Sequence, residues 1–211
     1  MRIRNMYLVN CLVVSFLLVS CYVDAQNSRV ATAFLDNKLI PNIETVAPQR
    51  FISVNYSTVN VDLGTIVNPL QTLLQPVVSF EANSTELYTF MFFGPDLPID
   101  FIPRYTQFLH WLIVNIPGSD MESGDTLSPH FPPTPYPGGL PYLFLLYQQS
   151  EWIDPEPLNS LRSLLNRPGF DPVEFKERHN LTGPISGNFM REAYLSPEAL
   201  ENIINSLRPS L

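Results

Sequence analysis

Hydrophobic and polar positions along this chain fall into short stretches, and most of the stretches have the length of a strand. Phe51 to Tyr56 alternates apolar and polar residues, as a half-buried strand does. Pro76 to Phe80 and Leu87 to Phe93 are further strand candidates, joined by a polar turn around Asn83. Leu109 to Ile116 is almost continuously apolar, the pattern of a central strand covered on both faces, and Tyr142 to Gln148 is a second such run. Helical spacing is confined to the two ends. Arg29 to Asn37 reads as a short amphipathic helix closed by Leu39-Ile40-Pro41. In the tail, Pro157 to Leu165 carries apolar residues at helical spacing and Asp171 to His179 opens on Asp-Pro. Ser196 to Leu207 begins Ser-Pro-Glu, with proline at the first helical position. The 21 prolines in 211 residues exceed the usual share of about 5% and argue against long helices. Aromatic and branched residues surround them, so they do not mark a disordered tail.

The first residues stand apart from this pattern. Arg2 and Arg4 precede an apolar run from Tyr7 to Cys21, and Val23-Asp24-Ala25 offers a small-residue cleavage site. This predicts a secretory signal peptide over 1–25 and one domain over 26–211. A membrane anchor is the competing reading, but the run is shorter than the roughly 20 apolar residues that a span needs. No transmembrane anchor is therefore expected after cleavage. Both cysteines, Cys11 and Cys21, lie in the removed segment, so the mature domain is expected to contain no disulfide. Asn55-Tyr56-Ser57, Asn83-Ser84-Thr85 and Asn180-Leu181-Thr182 are N-glycosylation sequons, which places Asn55, Asn83 and Asn180 on the surface of a secreted glycoprotein. The net charge of −8 becomes −9 once the two arginines and one aspartate of the first 25 residues are gone. With no basic cluster, nucleic acid and anionic membranes are poor partners.

The most informative block runs from Tyr88 to Gly118, YTFMFFGPDLPIDFIPRYTQFLHWLIVNIPG. An apolar run stops at Gly94-Pro95-Asp96-Leu97-Pro98. Arg104-Tyr105 follows, and a second run carries His110 at its start and ends at Asn115-Ile116-Pro117-Gly118. This block resembles the D-P-D-x-P turn and the W-H-H-hydrophobic-V-N strand of the phosphatidylethanolamine-binding protein family. The resemblance extends along the chain in order: Ile40-Pro41-Asn42-Ile43 with Val46-Ala47-Pro48, Pro76 to Phe80, Ser123 to Ser128, Pro132-Pro133 to Tyr142, Tyr147-Gln148-Gln149, Arg167-Pro168-Gly169-Phe170, and Gly183 to Phe189. It implies a mainly β fold, a sandwich of a large central sheet on a smaller one, with peripheral and C-terminal helices.

By the same resemblance, Pro95, Asp96, Pro98, Tyr105, His110, Pro133 and Tyr142 take the positions of the family's ligand-binding pocket, with Trp111 after the histidine. Two departures change its chemistry. Gly94 stands in place of the first aspartate, and an ungapped count places Leu140-Pro141 at the His-Arg of the G-x-H-R motif. Each charge-assisted hydrogen bond lost is worth about 1.5–3 kcal/mol, so two losses weaken an anion by about two orders of magnitude or more. The expectation is a cavity lined by Tyr105, His110, Trp111, Pro133, Leu140, Pro141 and Tyr142, suited to a small hydrophobic or lipid-type ligand rather than a phosphate headgroup.

Other residue types add little. His130, between Pro129 and Phe131, can replace the missing histidine or lie in a solvated loop; His179 follows Arg178 at a helix C-terminus, where a cation suits the dipole. Three scattered histidines and a cysteine-free mature chain give no metal-ligand spacing, and no cofactor is expected. No G-x-S-x-G elbow or cysteine nucleophile is present, so no enzyme is expected. Three functional readings stand: a secreted, non-catalytic ligand or lipid carrier; an extracellular protein-interaction module such as a protease inhibitor, docking through the Phe131 to Pro141 loop; and a surface or structural component that keeps the fold with no ligand.

Overall fold

The computed structural model describes residues 27–95, 107–136 and 139–198, together with 200, 201 and 205. The expected signal peptide, and Asp96, Pro98 and Tyr105 of the expected pocket, lie outside the described residues.

Two antiparallel-rich sheets form the molecule. The large sheet has the strand order β1 (Arg50–Phe51), β11 (Thr182–Glu192), β9 (Leu140–Gln149), β6 (Leu87–Pro95), β7 (Gln107–Pro117), β10 (Pro168–Phe170), with β4 (Thr65–Val67) added to β11 and β8 (Asp125–Ser128) to β7. The small sheet runs β3 (Val59–Val61), β2 (Ser53–Tyr56), β5 (Val77–Ser79). The continuous apolar runs read from the sequence are the central strands β6, β7 and β9, buried along nearly their whole length. Each is covered on both faces, which is why they lack alternation.

One core, with Met91, Phe93, Leu109, Leu143 and Leu145, meets helix α1 (residues 27–36) through Val30 and Phe34. The other, with Phe90, Phe92, Trp111, Tyr142 and Phe144, meets the small sheet through Ile52, Val54 and Val61. Asn188 joins the two sheets: its Nδ2 donates to the carbonyls of Ile52 and Val61, while its Oδ1 accepts from the backbone N–H groups of Leu63 and Phe189.

Helix α3 (Pro172–Arg178) starts as expected, with the Asp171 side chain accepting from the N–H groups of Val173 and Glu174. Lys176 on this helix reaches the buried Glu44, whose other oxygen accepts the Tyr147 hydroxyl. The Pro157 to Leu165 stretch differs from expectation. It forms 3-10 turns, Glu156–Arg162 and Leu164–Asn166, a tighter winding common in short, proline-started segments. Helix α2 (Pro69–Thr72), capped by Asn68 and Gln71, and the strands β3, β4 and β11 carried no sequence signal strong enough to predict them. Among the described residues no helix is long and apolar enough to cross a membrane.

The sequons divide. Asn83 and Asn180 are exposed. Asn55 lies half-buried in the middle strand of the small sheet, its side chain bonded to Ser53 Oγ, so it is a less open position than expected.

Candidate functional site

The strand ends that carry the expected pocket meet at one mouth of the large sheet. Gly94 pairs with Phe108 and Pro95 with Gln107 across β6 and β7, while Phe93 pairs with Leu143 across β6 and β9. A shift in register between β6 and β7, from Phe92–Trp111 to Phe93–Leu109, sets His110 at an irregularity of the ladder. Its ring then faces aromatic neighbours.

Those neighbours fill the space. The His110 ring lies 4.9 Å from Phe108, 5.1 Å from Phe92 and 5.4 Å from Tyr142, measured between ring centres. His110 is 2% exposed and Tyr142 fully buried. The Tyr142 hydroxyl is clamped by the backbone of Thr134, donating to its carbonyl and accepting from its N–H. A Cβ at residue 94 would come within 2.1 Å of Tyr142 Cδ1. Glycine is therefore required here by the tyrosine ring, which occupies the space where a side chain at 94 would begin. The single cavity expected from the sequence is corrected accordingly. His110 and Tyr142 pack against each other in a dry aromatic cluster, and Pro133 is buried beside it.

The electrostatics match the packing. Burial pushes His110 down to about 3, assisted by His130 and by Arg167; its Nδ1 lies 3.0 Å from the Phe131 carbonyl and its Nε2 has no partner. His130 is not a solvated loop residue. It stacks on Phe92 at 6.0 Å, packs edge-on to Trp111 at 5.7 Å, and is pushed down to about 4, first by burial and then by Arg167. Both rings are neutral near pH 7, so neither offers a phosphate the charge-assisted bond of an imidazolium.

Arg167, quoted only as a motif residue, organises this region. Its guanidinium donates to the carbonyls of Leu161, Arg162, Pro129 and His110. It thus ties the histidine strand to the Pro129–Phe131 segment and is spent on backbone rather than on a ligand. A buried arginine needs such partners, and carbonyl ends of loops are invisible in a sequence.

Two cavities flank the cluster. On the small-sheet side, a groove of about 330 Å³ runs between Trp111, Ile113, Pro129 and His130 and the edge residues Pro76 to Val78. On the other side, Pro95, Leu140 and Pro141 line a cavity of about 220 Å³ with Leu39, Gln107 and Arg191. The expected pocket residues are thus partitioned: Trp111 faces one space, Pro95, Leu140 and Pro141 another, and Tyr142 with His110 plugs the middle.

A sandwich with this strand order and a histidine at the mouth of its large sheet defines a class, and the comparisons agree on it. A family model described as phosphatidylethanolamine-binding protein matches residues 42–200; the chain belongs to that family. A "26 kDa secreted antigen" of Toxocara canis is 36% identical over 162 residues, covering 75% of this chain and 62% of the antigen. The chain thus spans less than two thirds of that relative. A "Putative odorant-binding protein A5" of Drosophila melanogaster is 29% identical over 185 residues, covering 85% of this chain and 88% of that protein. The crystal structure of carboxypeptidase Y inhibitor complexed with the cognate proteinase superposes with a TM-score of 0.63 at 15% identity, over 80% of this chain and 96% of that chain. At that identity the likeness concerns the fold alone.

Proposed function

We propose that this protein is a secreted, non-enzymatic carrier of a small apolar ligand, built on a phosphatidylethanolamine-binding scaffold from which the headgroup chemistry has been lost. The carrying observation is the contact between Gly94 and Tyr142, which fills the start of the family's anion pocket with a phenol ring. Neutral His110 and His130 support it, since a dry aromatic environment disfavours an uncompensated anion. The names of the two relatives, a secreted antigen and an odorant-binding protein, support an extracellular small-molecule role.

The test is an NMR titration of the His110 ring with inorganic phosphate and phosphorylethanolamine, alongside native mass spectrometry of protein collected from culture medium. Neither anion is expected to move the His110 resonances, and an apolar molecule is expected to travel with the protein. A saturable shift with phosphorylethanolamine would overturn the reading. The same sample is expected to begin at Gln26 and to lose mass on enzymatic removal of N-glycans.

A second reading, a protein-interaction module, rests on a different observation. Ile66, Leu70, Leu73, Leu74 and Val77 are each at least 60% exposed along one segment, and large exposed apolar patches mark interaction surfaces. In the Phe131 to Pro141 loop, the surface expected from the sequence, Pro133 is buried and Thr134 holds Tyr142, while Phe131 touches Phe108 yet stays exposed. Inhibition of carboxypeptidase Y that is lost in Leu73→Asp would favour this reading; no inhibition by the wild type counts against it.

A further inference from the structure

The cavity beside Leu140 and Pro141 has a chemical character of its own. Its walls are apolar, from Leu39, Leu140 and Pro141, yet Lys38 and Arg191 also line it and no acidic side chain does so among the described residues. In a chain of net charge −8 that is an uneven distribution. Arg29, Lys176 and Arg178 each form an ion pair with a carboxylate, whereas Lys38 and Arg191 form none among the described residues. Arg191 donates to the Gly139 carbonyl and to Asn37 Oδ1, both neutral acceptors. Among the described residues no carboxylate cancels its charge at the cavity.

Gln107 adds a polar group to the same cavity. It is 7% exposed, and its Oε1 has no hydrogen-bond partner. That oxygen needs a donor, which an ionised carboxylate lacks, so the charge of the cavity rests on Lys38 and Arg191. The volume of about 220 Å³ lies below the lower end of common ligand pockets, near 300 Å³, and so limits the occupant to a small molecule.

Resting on the carrier reading above, we propose that this cavity is the ligand site and that it takes a small amphipathic carboxylate. The carboxylate lies toward Arg191 and Lys38, and the apolar body lies against Leu39, Leu140 and Pro141. Arginine suits this role because its planar fork matches a carboxylate. The positive charge of the site then lies on the lining of this cavity, next to Leu140 and Pro141, and not in the cluster around His110 and Tyr142.

Parallel ¹H–¹⁵N titrations of the full protein with octanoate and with octan-1-ol, at neutral pH and low salt, test this. Octanoate is expected to move the backbone amides of Lys38, Leu39, Gln107, Leu140 and Arg191 saturably, and to bind about tenfold tighter than octanol. Arg191→Gln is expected to remove most of that advantage and Lys38→Gln part of it, while Leu140→Trp blocks both ligands. Lys38 is exposed, so its variant keeps the result readable if Arg191→Gln fails to fold. Equal binding of octanol and octanoate at these amides would overturn the carboxylate assignment and leave the carrier reading standing. Octanoate bound only at other amides would overturn the site. Failure of both ligands to bind anywhere would overturn the proposal and count against the carrier reading too.

Discussion

The two sides of the sheet mouth are built from neighbouring residues and have opposite characters. On one side, Gly94 lies under the ring of Tyr142, whose hydroxyl is clamped by Thr134, and His110 is walled by Phe92 and Phe108. On the other, Pro95, Leu140 and Pro141 leave a cavity with Arg191 and Lys38 on its lining. The closed side holds two neutral imidazoles, and the open side holds two cations that have no carboxylate partner among the described residues. The difference shows how side-chain packing can close one part of a sheet mouth while its neighbour stays open. Once the carboxylate that resemblance places at residue 94 is absent, an adjacent aromatic ring can occupy its space, and the histidine it would orient is held by burial instead. The framework does not change; the charge balance of the site does.

The sharpest way to break this contrast is to restore the family's aspartate. Gly94→Asp sets a Cβ about 2.1 Å from Tyr142 Cδ1 and adds a carboxylate with no charged partner in an aromatic cluster. Overpacking and an unpaired buried charge together cost about 4 kcal/mol or more. The urea midpoint is expected to collapse, or the protein to fail to fold. Combining it with Tyr142→Ala, which alone costs about 3–5 kcal/mol, is expected to be less damaging than the sum of the two, because the second change removes the clash. Additive losses would mean that the ring does not hold that space. The next largest effect is Arg167→Met. It leaves the carbonyls of Leu161, Arg162, Pro129 and His110 without their donor, at about 3 kcal/mol by chemical denaturation.

The two sides also differ in how far the sequence reveals them. The framework is legible because its motif residues do structural tasks that tolerate few alternatives. Asn115 and Gln149 bond to each other and to the backbone around Ile153, and Asn188 stitches the two sheets together. The long apolar runs of β6, β7 and β9 announce themselves by composition. By contrast β11 contains Gly183, Pro184 and Gly187, turn-forming residues that hide an 11-residue strand. The short β4 depends on β11, a partner distant in the chain, and β3 is only three residues long, folded back on β2 by a tight turn. At the site, the loss of charge at Gly94 and Leu140 could be read directly. The plug could not, since only the backbone course at Gly94 shows that the Tyr142 ring lies over it. The role of Arg167 and the open cavity with Arg191 were equally hidden, because both depend on loops meeting across the fold. Asp96, Pro98 and Tyr105 lie outside the described residues, so their expected part in the pocket is carried forward unchanged.

The mildest predictions concern pH and test whether the closed side is as dry as its packing indicates. His110 and His130 are held at about 3 and about 4 in the fold, against about 6.5 in an unfolded chain. Between those values the unfolded state binds protons that the folded state does not, so stability falls as pH drops below about 6.5. By about pH 4.5 each histidine has removed about 2–3 kcal/mol. His110→Phe is expected to remove its share of this acid limb, read from urea midpoints across pH; an unaltered limb would mean that His110 takes up a proton in the fold.

Glu192 gives the opposite and smaller slope. Its carboxyl is fully buried, accepts the Thr72 hydroxyl at 2.9 Å and leaves Oε1 without a partner. Burial pushes it up to about 7, with the Thr72 bond opposing the shift. Here the folded state keeps a proton that the unfolded state releases, so stability falls as pH rises toward 7 and levels off above it. Below about pH 7 the two histidines together outweigh Glu192, and above it the opposing slopes nearly cancel, so stability climbs to a plateau near pH 7. Glu192→Gln keeps an acceptor for Thr72 while removing the titration. With the histidine gain and the Glu192 loss opposed, the wild-type profile is expected to be nearly flat between about pH 6 and pH 8, and the variant's to rise by about 1 kcal/mol over that window. If wild type and variant rise alike, the carboxyl is solvated in the fold, and the closed side is wetter than the packing of Tyr142 implies.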